Sequence, residues 1–248
     1  MTFSWKRQDC GVMGILNVTP DSFSDGGEHQ EVERAVARAF EMDAQGAAMI
    51  DIGAESTRPG SQSVPPELQW VRLEPVLKRL QGSLKAPISV DTTSSFVAVR
   101  AAGLGAVAVN DTSAGQEDPL MFATAAKVGM AMVLMHRSAL PRVMQEHTGY
   151  GDVVREVGLY LMERARECEK AGVPRASICL DPGIGFGKTL EQNLALIREV
   201  PRLAATAYPV LMGLSRKNFL GAITGENEPR LRDGASVAGA LAAARRGA

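Results

Sequence analysis

The chain has 248 residues, of which 45% are hydrophobic and 22% are charged, and its formal net charge at pH 7 is −1. This is the composition of an ordinary globular domain, and the length suits one large core such as a barrel of βα units. The near-neutral charge excludes a basic nucleic-acid surface, and no apolar stretch or leader indicates a membrane span or a signal peptide.

Seven short apolar runs recur along the chain, and each one ends at a polar side chain. Continuous apolar runs of this length are typical of strands buried on both faces, as in a parallel sheet. In a parallel barrel the carboxyl ends of the strands meet at one rim, so these side chains are predicted to share a pocket. In chain order the runs end at Asn17, Asp51, Asp91, Asn110, His136, Asp181 and Ser215–Lys217.

Segments with helical periodicity separate the runs. Strands that alternate with helices form βαβ units and therefore a parallel sheet. No linker rich in Gly, Pro or Ser interrupts them, so residues 1–248 are predicted to form a single domain. The predicted helices span residues 31–46, 68–80, 94–102, 119–127, 153–171, 190–200 and 232–246.

The number of units is one short of a closed barrel. Seven strand–helix pairs can be counted before the chain stops at Ala248, whereas a closed barrel of this class has eight. The predicted fold is an α/β barrel of the TIM (β/α)8 type that lacks its eighth strand and helix. Either the barrel is open, or the natural carboxyl terminus is missing from this sequence.

The cysteines and histidines predict neither disulfides nor a transition-metal site. Three cysteines, an odd number, are widely spaced and form no C-x-x-C pattern, which favours reduced thiols in a cytoplasmic protein. The histidines lack the spacing of metal ligands. The residues concerned are Cys10, Cys168, Cys179, His29, His136 and His147.

Two loops that follow predicted strands are rich in oxygen-bearing side chains. The first runs from Asn17 to Gly27 and the second from Glu55 to Ser61. Surface turns are the simpler interpretation, but active sites of barrels form from the loops after strands. Arg58 suits an anion, and Asn17 with Asp25 suits a Mg²⁺ held mainly by substrate phosphates.

The glycine-rich segment Gly183–Thr189 has the wrong spacing for a nucleotide loop. A Walker A loop needs about four residues between its first Gly and Gly-Lys-Thr, whereas three separate Gly183 from Gly187. A dinucleotide fingerprint needs glycine at position 188, which is lysine. Such a segment instead lets the backbone approach a flat ring closely.

Together with the two loops, the segments Leu134–His136, Asp181–Thr189 and Ser215–Gly221 resemble the dihydropteroate synthase family of folate biosynthesis. The resemblance extends from about Gly11 to the last residue. It implies a TIM barrel, a cytoplasmic homodimer, Mg²⁺ as cofactor and a place among sulfonamide targets. It also implies the condensation of 6-hydroxymethyl-7,8-dihydropterin diphosphate with p-aminobenzoate, which forms 7,8-dihydropteroate and releases diphosphate in an SN1-like step.

The resemblance also assigns roles to residues, and a pterin edge of alternating donors and acceptors suits carboxylates and amides. The expected pterin-binding residues are Asp91, Asn110, Met135, Asp181, Phe186 and Lys217. Those expected around p-aminobenzoate are Phe23, Thr57, Pro59, Phe186 and Asn218. Asn17 and Arg58 are expected to bind the diphosphate, with Asn17 also a metal ligand. The expected catalytic residues are Asp25, Arg58 and Lys217.

Several features depart from the family pattern. The family's eighth strand carries an Arg-x-His pair for diphosphate, which is absent here, so reduced activity is expected. The alternatives are a catalytically impaired pterin-binding homologue and a pterin-dependent methyltransferase domain, and the two polar loops argue against the methyltransferase. The other departures are Ala54, Thr93–Ser94, Arg137–Ala139 and Asn218.

Overall fold

The sheet is parallel and its strands follow one another in chain order. The structure is a computed structural model that describes residues 3–5, 10–19, 28–56 and 60–248. Within them six strands pair in the order β1-β2-β3-β4-β5-β6, which confirms six of the seven predicted strands. They are β1 (Met13–Asn17), β2 (Met49–Gly53), β3 (Ile88–Asp91), β4 (Ala106–Asp111), β5 (Ala131–Met135) and β6 (Ile178–Asp181).

Helices connect the strands, and sequential pairing of parallel strands places successive crossovers on one face of the sheet. The helices in the described part of the chain are α1 (Glu28–Ala44), α2 (Pro66–Leu80), α3 (Ser95–Gly103), α4 (Met121–Val128), α5 (Val153–Lys170), α6 (Leu190–Arg198), α7 (Val200–Ala204), α8 (Asn218–Thr224) and α9 (Asp233–Ala244). This singly wound arrangement is that of a TIM-type barrel. No described helix has the length and apolarity to cross a membrane.

Two of the helices differ from the sequence prediction. The single helix predicted over residues 190–200 ends at Arg198, and α7 begins at Val200 with Pro201 in its first turn. Proline lacks a backbone N–H, which suits the first turn of a helix and not its interior. Helix α8 has no counterpart in the prediction, because it is only seven residues long and ends at Gly225, its left-handed cap.

The core lies between the sheet and its helices, and a smaller cluster fills the opposite face near the amino ends of the strands. Met49, Ala108 and Ala131 form that cluster, with Phe3 and Trp5 packed against it. The Trp5 indole donates a hydrogen bond to the Ser177 carbonyl oxygen at 3.1 Å. Phe3 and Trp5 therefore pack against the amino-terminal end of the barrel interior, opposite the carboxyl rim.

The prediction of a seventh strand over residues 209–214 is wrong. This segment forms only an isolated parallel bridge between Val210 and Leu180 of β6. Leu180 N–H donates to the Pro209 carbonyl and Leu211 N–H donates to the Leu180 carbonyl, both at 2.9 Å. Pro209 has no N–H for a ladder. The described sheet is thus an open barrel, and Ile15 of its edge strand β1 is 58% exposed.

Candidate active site

Polar side chains line the rim because the strands end in register. Asn17 is opposite Gly53 in the β1–β2 pair, and Gly53 is opposite Asp91 in the β2–β3 pair. Asp91 in turn is opposite Asn110 across β3 and β4. At the other end of the strand order, Met135 of β5 is opposite Asp181 of β6. The parallel pairing therefore brings the ends of six strands to one edge.

Asp51 and Asn110 form a buried pair that leaves two acceptors unused. The Asn110 Nδ2 atom donates a hydrogen bond to Asp51 Oδ2 at 2.8 Å. Asp51 Oδ1 and Asn110 Oδ1 are buried and form no hydrogen bond of ordinary geometry with the described residues, although the pKa of Asp51, which burial raises, is lowered by the nearby Ser89 hydroxyl. A buried polar atom without a partner costs free energy that a bound donor restores. The pair is therefore suited to accept hydrogen bonds from a ligand.

Asp91 stands in an acidic environment. Burial raises the pKa of its carboxyl group well above the ordinary value, and repulsion from Asp51 and Glu55 raises this pKa further. A side chain at Gly53 would place its Cβ 3.3 Å from Asp91 Oδ2, so the glycine leaves space for that carboxyl group. A ligand that offers N–H donors would compensate the burial of these carboxyl groups. We call Asp51, Asp91 and Asn110 the acidic half of the rim.

The opposite half of the rim mixes a carboxylate with lysines. Asp181 Oδ1 accepts a hydrogen bond from Gly183 N–H at 2.7 Å. Burial raises the pKa of Asp181, whereas this hydrogen bond and the nearby Lys217 and Lys188 lower it. We call Asp181, Lys188 and Lys217 the lysine half of the rim.

Lys217 lies over an aromatic ring in this half. Its Nζ is 4.2 Å from the centroid of the Phe186 ring, a distance at which a cation is attracted to the ring face. Met135, Met144 and Phe186 form a buried apolar cluster beside it. Burial lowers the pKa of Lys217 to about 8, partly opposed by Asp181. The arrangement offers an apolar surface with one cation at its edge.

The comparisons with known proteins agree with this geometry. Residues 13–248 match the family model described as pterin binding enzyme. Over 240 residues the chain is 45% identical to the dihydropteroate synthase of Neisseria meningitidis serogroup C, covering 96% of this chain and 84% of that protein. The chain belongs to the dihydropteroate synthase family. The resemblance found in the sequence is thereby confirmed.

Solved structures of this family share the fold. The Xanthomonas albilineans dihydropteroate synthase with 4-aminobenzoic acid has a TM-score of 0.91 and 43% identity, covering 97% of this chain and 86% of that one. The same enzyme in complex with 7,8-dihydropteroate has a TM-score of 0.87 and 41% identity, covering 98% and 87%. The TIM-barrel class predicted for this chain is therefore confirmed.

The structure describes part of the site that the resemblance to the family predicts. The pterin residues divide between the two halves: Asp91 and Asn110 in the acidic half, Asp181 and Lys217 in the lysine half. Asn17 is exposed at the end of β1. The expected residues that lie outside the described ones are Phe23, Asp25, Thr57, Arg58 and Pro59.

Asn218 begins α8 and is exposed. Its side-chain oxygen accepts a hydrogen bond from the buried Arg232 at 3.1 Å. The same guanidinium donates to the carbonyl oxygens of Arg216, Glu226 and Asn227. Arg232 thus holds the start of α8, which immediately follows Lys217, against the loop before α9.

Two further residues of the rim were given no ligand role by the resemblance to the family. Asp51 ends an apolar run and was predicted to share the rim pocket, and its hydrogen bond to Asn110 places it in the acidic half. Arg137, one of the departures from the family pattern, forms an ion pair with Glu117 and lowers the pKa of Asp91 in opposition to its burial. An arginine directly after the His136 strand end was the available signal for this second residue.

Proposed function

We propose that this chain condenses 6-hydroxymethyl-7,8-dihydropterin diphosphate with p-aminobenzoate, forming 7,8-dihydropteroate and releasing diphosphate. The observation that carries the proposal is the rim itself, where buried acceptors without an ordinary hydrogen bond from the described residues lie in one half and Lys217 covers Phe186 in the other. Relatives named for this activity, at 45% identity over nearly the whole chain, support it.

The two halves of the rim suit the hydrogen-bond donors and the carbonyl acceptor of a pterin ring. The ring's N–H and amino groups need acceptors, which Asp181 and the Asp51–Asn110 pair supply, and its carbonyl needs a donor such as Lys217. Met135 and Phe186 provide apolar surface for the flat ring. The pterin site we propose comprises Asp91, Asn110, Met135, Asp181, Phe186 and Lys217.

Catalysis depends on the order of the bond changes. An aromatic amine is a weak nucleophile, so we infer that the bond from carbon to diphosphate breaks first and leaves a cationic methylene delocalised into the pterin. Asp25 stabilises that cation, and Asn17 with Arg58 holds the departing diphosphate. The amine then attacks the methylene carbon, and the proton that it loses passes to an oxygen of the released diphosphate. Holding amine and cation in contact supplies most of the rate enhancement.

The p-aminobenzoate site is proposed to lie above the pterin, enclosed by the first two loops. Its residues are Phe23, Thr57, Pro59, Phe186 and Asn218. Loops that enclose the substrates exclude water, which would otherwise capture the cation.

We propose Mg²⁺ as the cofactor, with Asn17 as its protein ligand. The described residues contain no cluster of three or more His, Cys, Asp or Glu side chains that would cage a metal. Mg²⁺ binds through few protein oxygens and substrate phosphates, and the exposed Asn17 amide at the rim fits that role. When bound, Mg²⁺ would neutralise charge on the diphosphate.

We further propose a cytoplasmic homodimer. Cys10, Cys168 and Cys179 are free thiols, as expected in a reducing compartment. Helix α9 exposes Val237 and Leu241, at 59% and 56%, which suits an apolar contact between two copies. Sedimentation velocity would show a dimer that the double substitution Val237→Glu, Leu241→Glu converts to monomer. A monomeric wild-type chain would refute this part of the proposal.

The reaction is tested by a coupled assay of diphosphate release. We expect release only when pterin diphosphate, p-aminobenzoate and Mg²⁺ are all present, with 7,8-dihydropteroate formed in equal amount. Pterin binding without release would instead identify a catalytically impaired pterin-binding homologue. The methyltransferase alternative is disfavoured because the relatives are named as synthases.

A further inference from the structure

Lys188 ends the glycine-rich segment after β6, and its charged group is buried. The side chain belongs to a residue that is only 4% exposed. Its Nζ lies 2.9 Å from the Gly183 carbonyl oxygen and 3.0 Å from that of Phe186. It also lies 3.1 Å from His136 Nδ1 and 3.4 Å from the His136 carbonyl oxygen. An ammonium group has three donors, and acceptors from two rim loops surround this one.

Burial of a charged amine costs free energy unless nearby polar groups compensate it. Burial lowers the pKa of Lys188 to about 7, and the neighbouring Lys217 lowers it as well, while Asp181 raises it. The described carboxylates form no ion pair with Lys188. Carbonyl dipoles and a ring nitrogen therefore compensate the burial of this amine.

His136 is held in one protonation state by this contact. When Lys188 is protonated, its ammonium donates to His136 Nδ1, which places the ring proton on Nε2. Burial, together with the charge of Lys188, lowers the pKa of His136 to about 3. The ring also meets Tyr160 edge-on, with centroids 4.8 Å apart. His136 is thus a fixed, neutral support at the end of β5.

The glycine-rich segment Gly183–Thr189 packs closely against His136. Gly183 has φ +67, and a Cβ there would lie 1.9 Å from the His136 carbonyl oxygen. Asn193 holds the segment from the other side, because its Oδ1 accepts from Gly185 N–H at 2.8 Å. Gly183 N–H in turn donates to Asp181 Oδ1. Lys188 is therefore bonded to the same short segment that orients Asp181 and carries Phe186.

We propose that Lys188 is a positioning residue of the pterin site: by holding the Gly183 and Phe186 carbonyls against His136, it sets the orientation of Asp181 and Phe186. The proposal rests on the proposed function and adds a residue that does not touch the substrate. Its consequence is that loss of the ammonium weakens pterin binding more than it slows turnover.

The substitution Lys188→Met tests this, because it keeps the length of the side chain and removes every donor. We expect KM for pterin diphosphate to rise roughly 10- to 100-fold, the effect typical of lost charged hydrogen bonds that orient a site. The kcat value and the KM for p-aminobenzoate change less. A pterin KM within about twofold of wild type, well below the effect of one lost charged hydrogen bond, would overturn the proposal.

Two controls separate positioning from general destabilisation. Lys170→Met removes an exposed lysine that pairs with Glu167 and leaves the kinetics unchanged. Val157→Ala opens a cavity in the core at a fully buried position and lowers the melting temperature without raising the pterin KM. If Val157→Ala raises the pterin KM as much as Lys188→Met does, the effect is a loss of stability and the proposal fails.

The partner residue gives an independent test, which also applies if Lys188→Met does not fold. We expect His136→Leu to weaken pterin binding and the double variant to bind no more weakly than Lys188→Met alone. Additive losses, or unchanged pterin affinity in His136→Leu, would contradict a shared clamp. Titration calorimetry with pterin diphosphate alone measures this affinity even if the wild type releases no diphosphate, so failure of the proposed reaction remains distinguishable.

Discussion

The acidic half and the lysine half of the rim differ in how their buried groups are compensated. In the acidic half, burial and mutual repulsion raise the pKa of Asp91, and two buried oxygens of Asp51 and Asn110 form no hydrogen bond of ordinary geometry with the described residues. In the lysine half, Lys188 is surrounded by acceptors and Lys217 lies over Phe186. The acidic half therefore has acceptors available for the donors of a ligand, whereas the groups of the lysine half are held by contacts within the protein.

Because of this difference, substitutions in the acidic half are expected to act on ligand binding and those in the lysine half on the geometry of the site. A change in the acidic half removes a partner of the ligand and relieves repulsion in the protein. A change in the lysine half disturbs contacts on which the loop itself depends. Four substitutions with successively smaller expected effects test that division.

Asp181→Ala is expected to have the largest effect, because Asp181 accepts a hydrogen bond from Gly183 in the loop after β6 and is also proposed to bind the pterin. Loss of two charged hydrogen bonds to the pterin predicts a fall in kcat/KM of roughly 100-fold or more. Steady-state diphosphate release measures it, with the exposed Glu167→Gln as the control. Unchanged affinity for pterin diphosphate would remove Asp181 from the centre of the site.

Lys217→Met is expected to lower kcat/KM by about 10-fold, the effect of one lost charged hydrogen bond. The pKa of Lys217 is lowered to about 8 by burial, so its ammonium loses its proton as pH rises through 8. We therefore expect kcat/KM of the wild type to fall above that pH. In Lys217→Arg, which stays charged, the part of this fall near pH 8 should disappear, whereas a fall near pH 7 should remain because Lys188, whose pKa is lowered to about 7, loses its proton there. If the part near pH 8 persists unchanged, another group controls it.

Asp91→Asn is expected to weaken ligand binding and to stabilise the folded protein. The pKa of Asp91 is raised in the folded state. The folded protein therefore loses stability as pH rises from the pKa of Asp91 in the unfolded chain towards its pKa in the folded protein. Replacing Asp91 at pH 7 should raise the melting temperature, by about 2–4 °C per kcal/mol relieved. Pterin affinity should fall about 10-fold. Calorimetry measures both, and a lower melting temperature would contradict the repulsion.

Gly185→Ala is expected to have the smallest effect, confined to the lysine half. Gly185 has φ +83, and a Cβ there would lie 3.3 Å from Lys217 Cδ. We expect a loss of about 1–2 kcal/mol in unfolding free energy and a small rise in pterin KM. Gly46→Ala serves as the control, since Gly46 has a similar φ of +87 and its Cβ would meet no atom within 4 Å. Equal effects of the two substitutions would show that Lys217 is not involved.

The positions of the strands were predictable because each buried strand is a short apolar run that ends at a polar residue. Asp91 and Asp181 could be placed at one rim on this basis alone, since parallel strands end on the same side. The segment at residues 209–214 had the same apolar pattern and was predicted wrongly. Apolarity identifies burial, but a strand also needs hydrogen-bonding neighbours, and Pro209 supplies no donor.

The local pattern of residues determined the parallel α/β class and the polar ends of the strands, because burial and periodicity are properties of neighbours in the chain. The pairing of Asn110 with Asp51 and the contacts of Lys188 with His136 were decided by the tertiary structure. These residues are 59 and 52 positions apart, and only the packing of separate strands brings such distant groups within hydrogen-bonding distance. The same packing removes these groups from water, which raises the pKa of Asp51 and lowers the pKa values of His136 and Lys188.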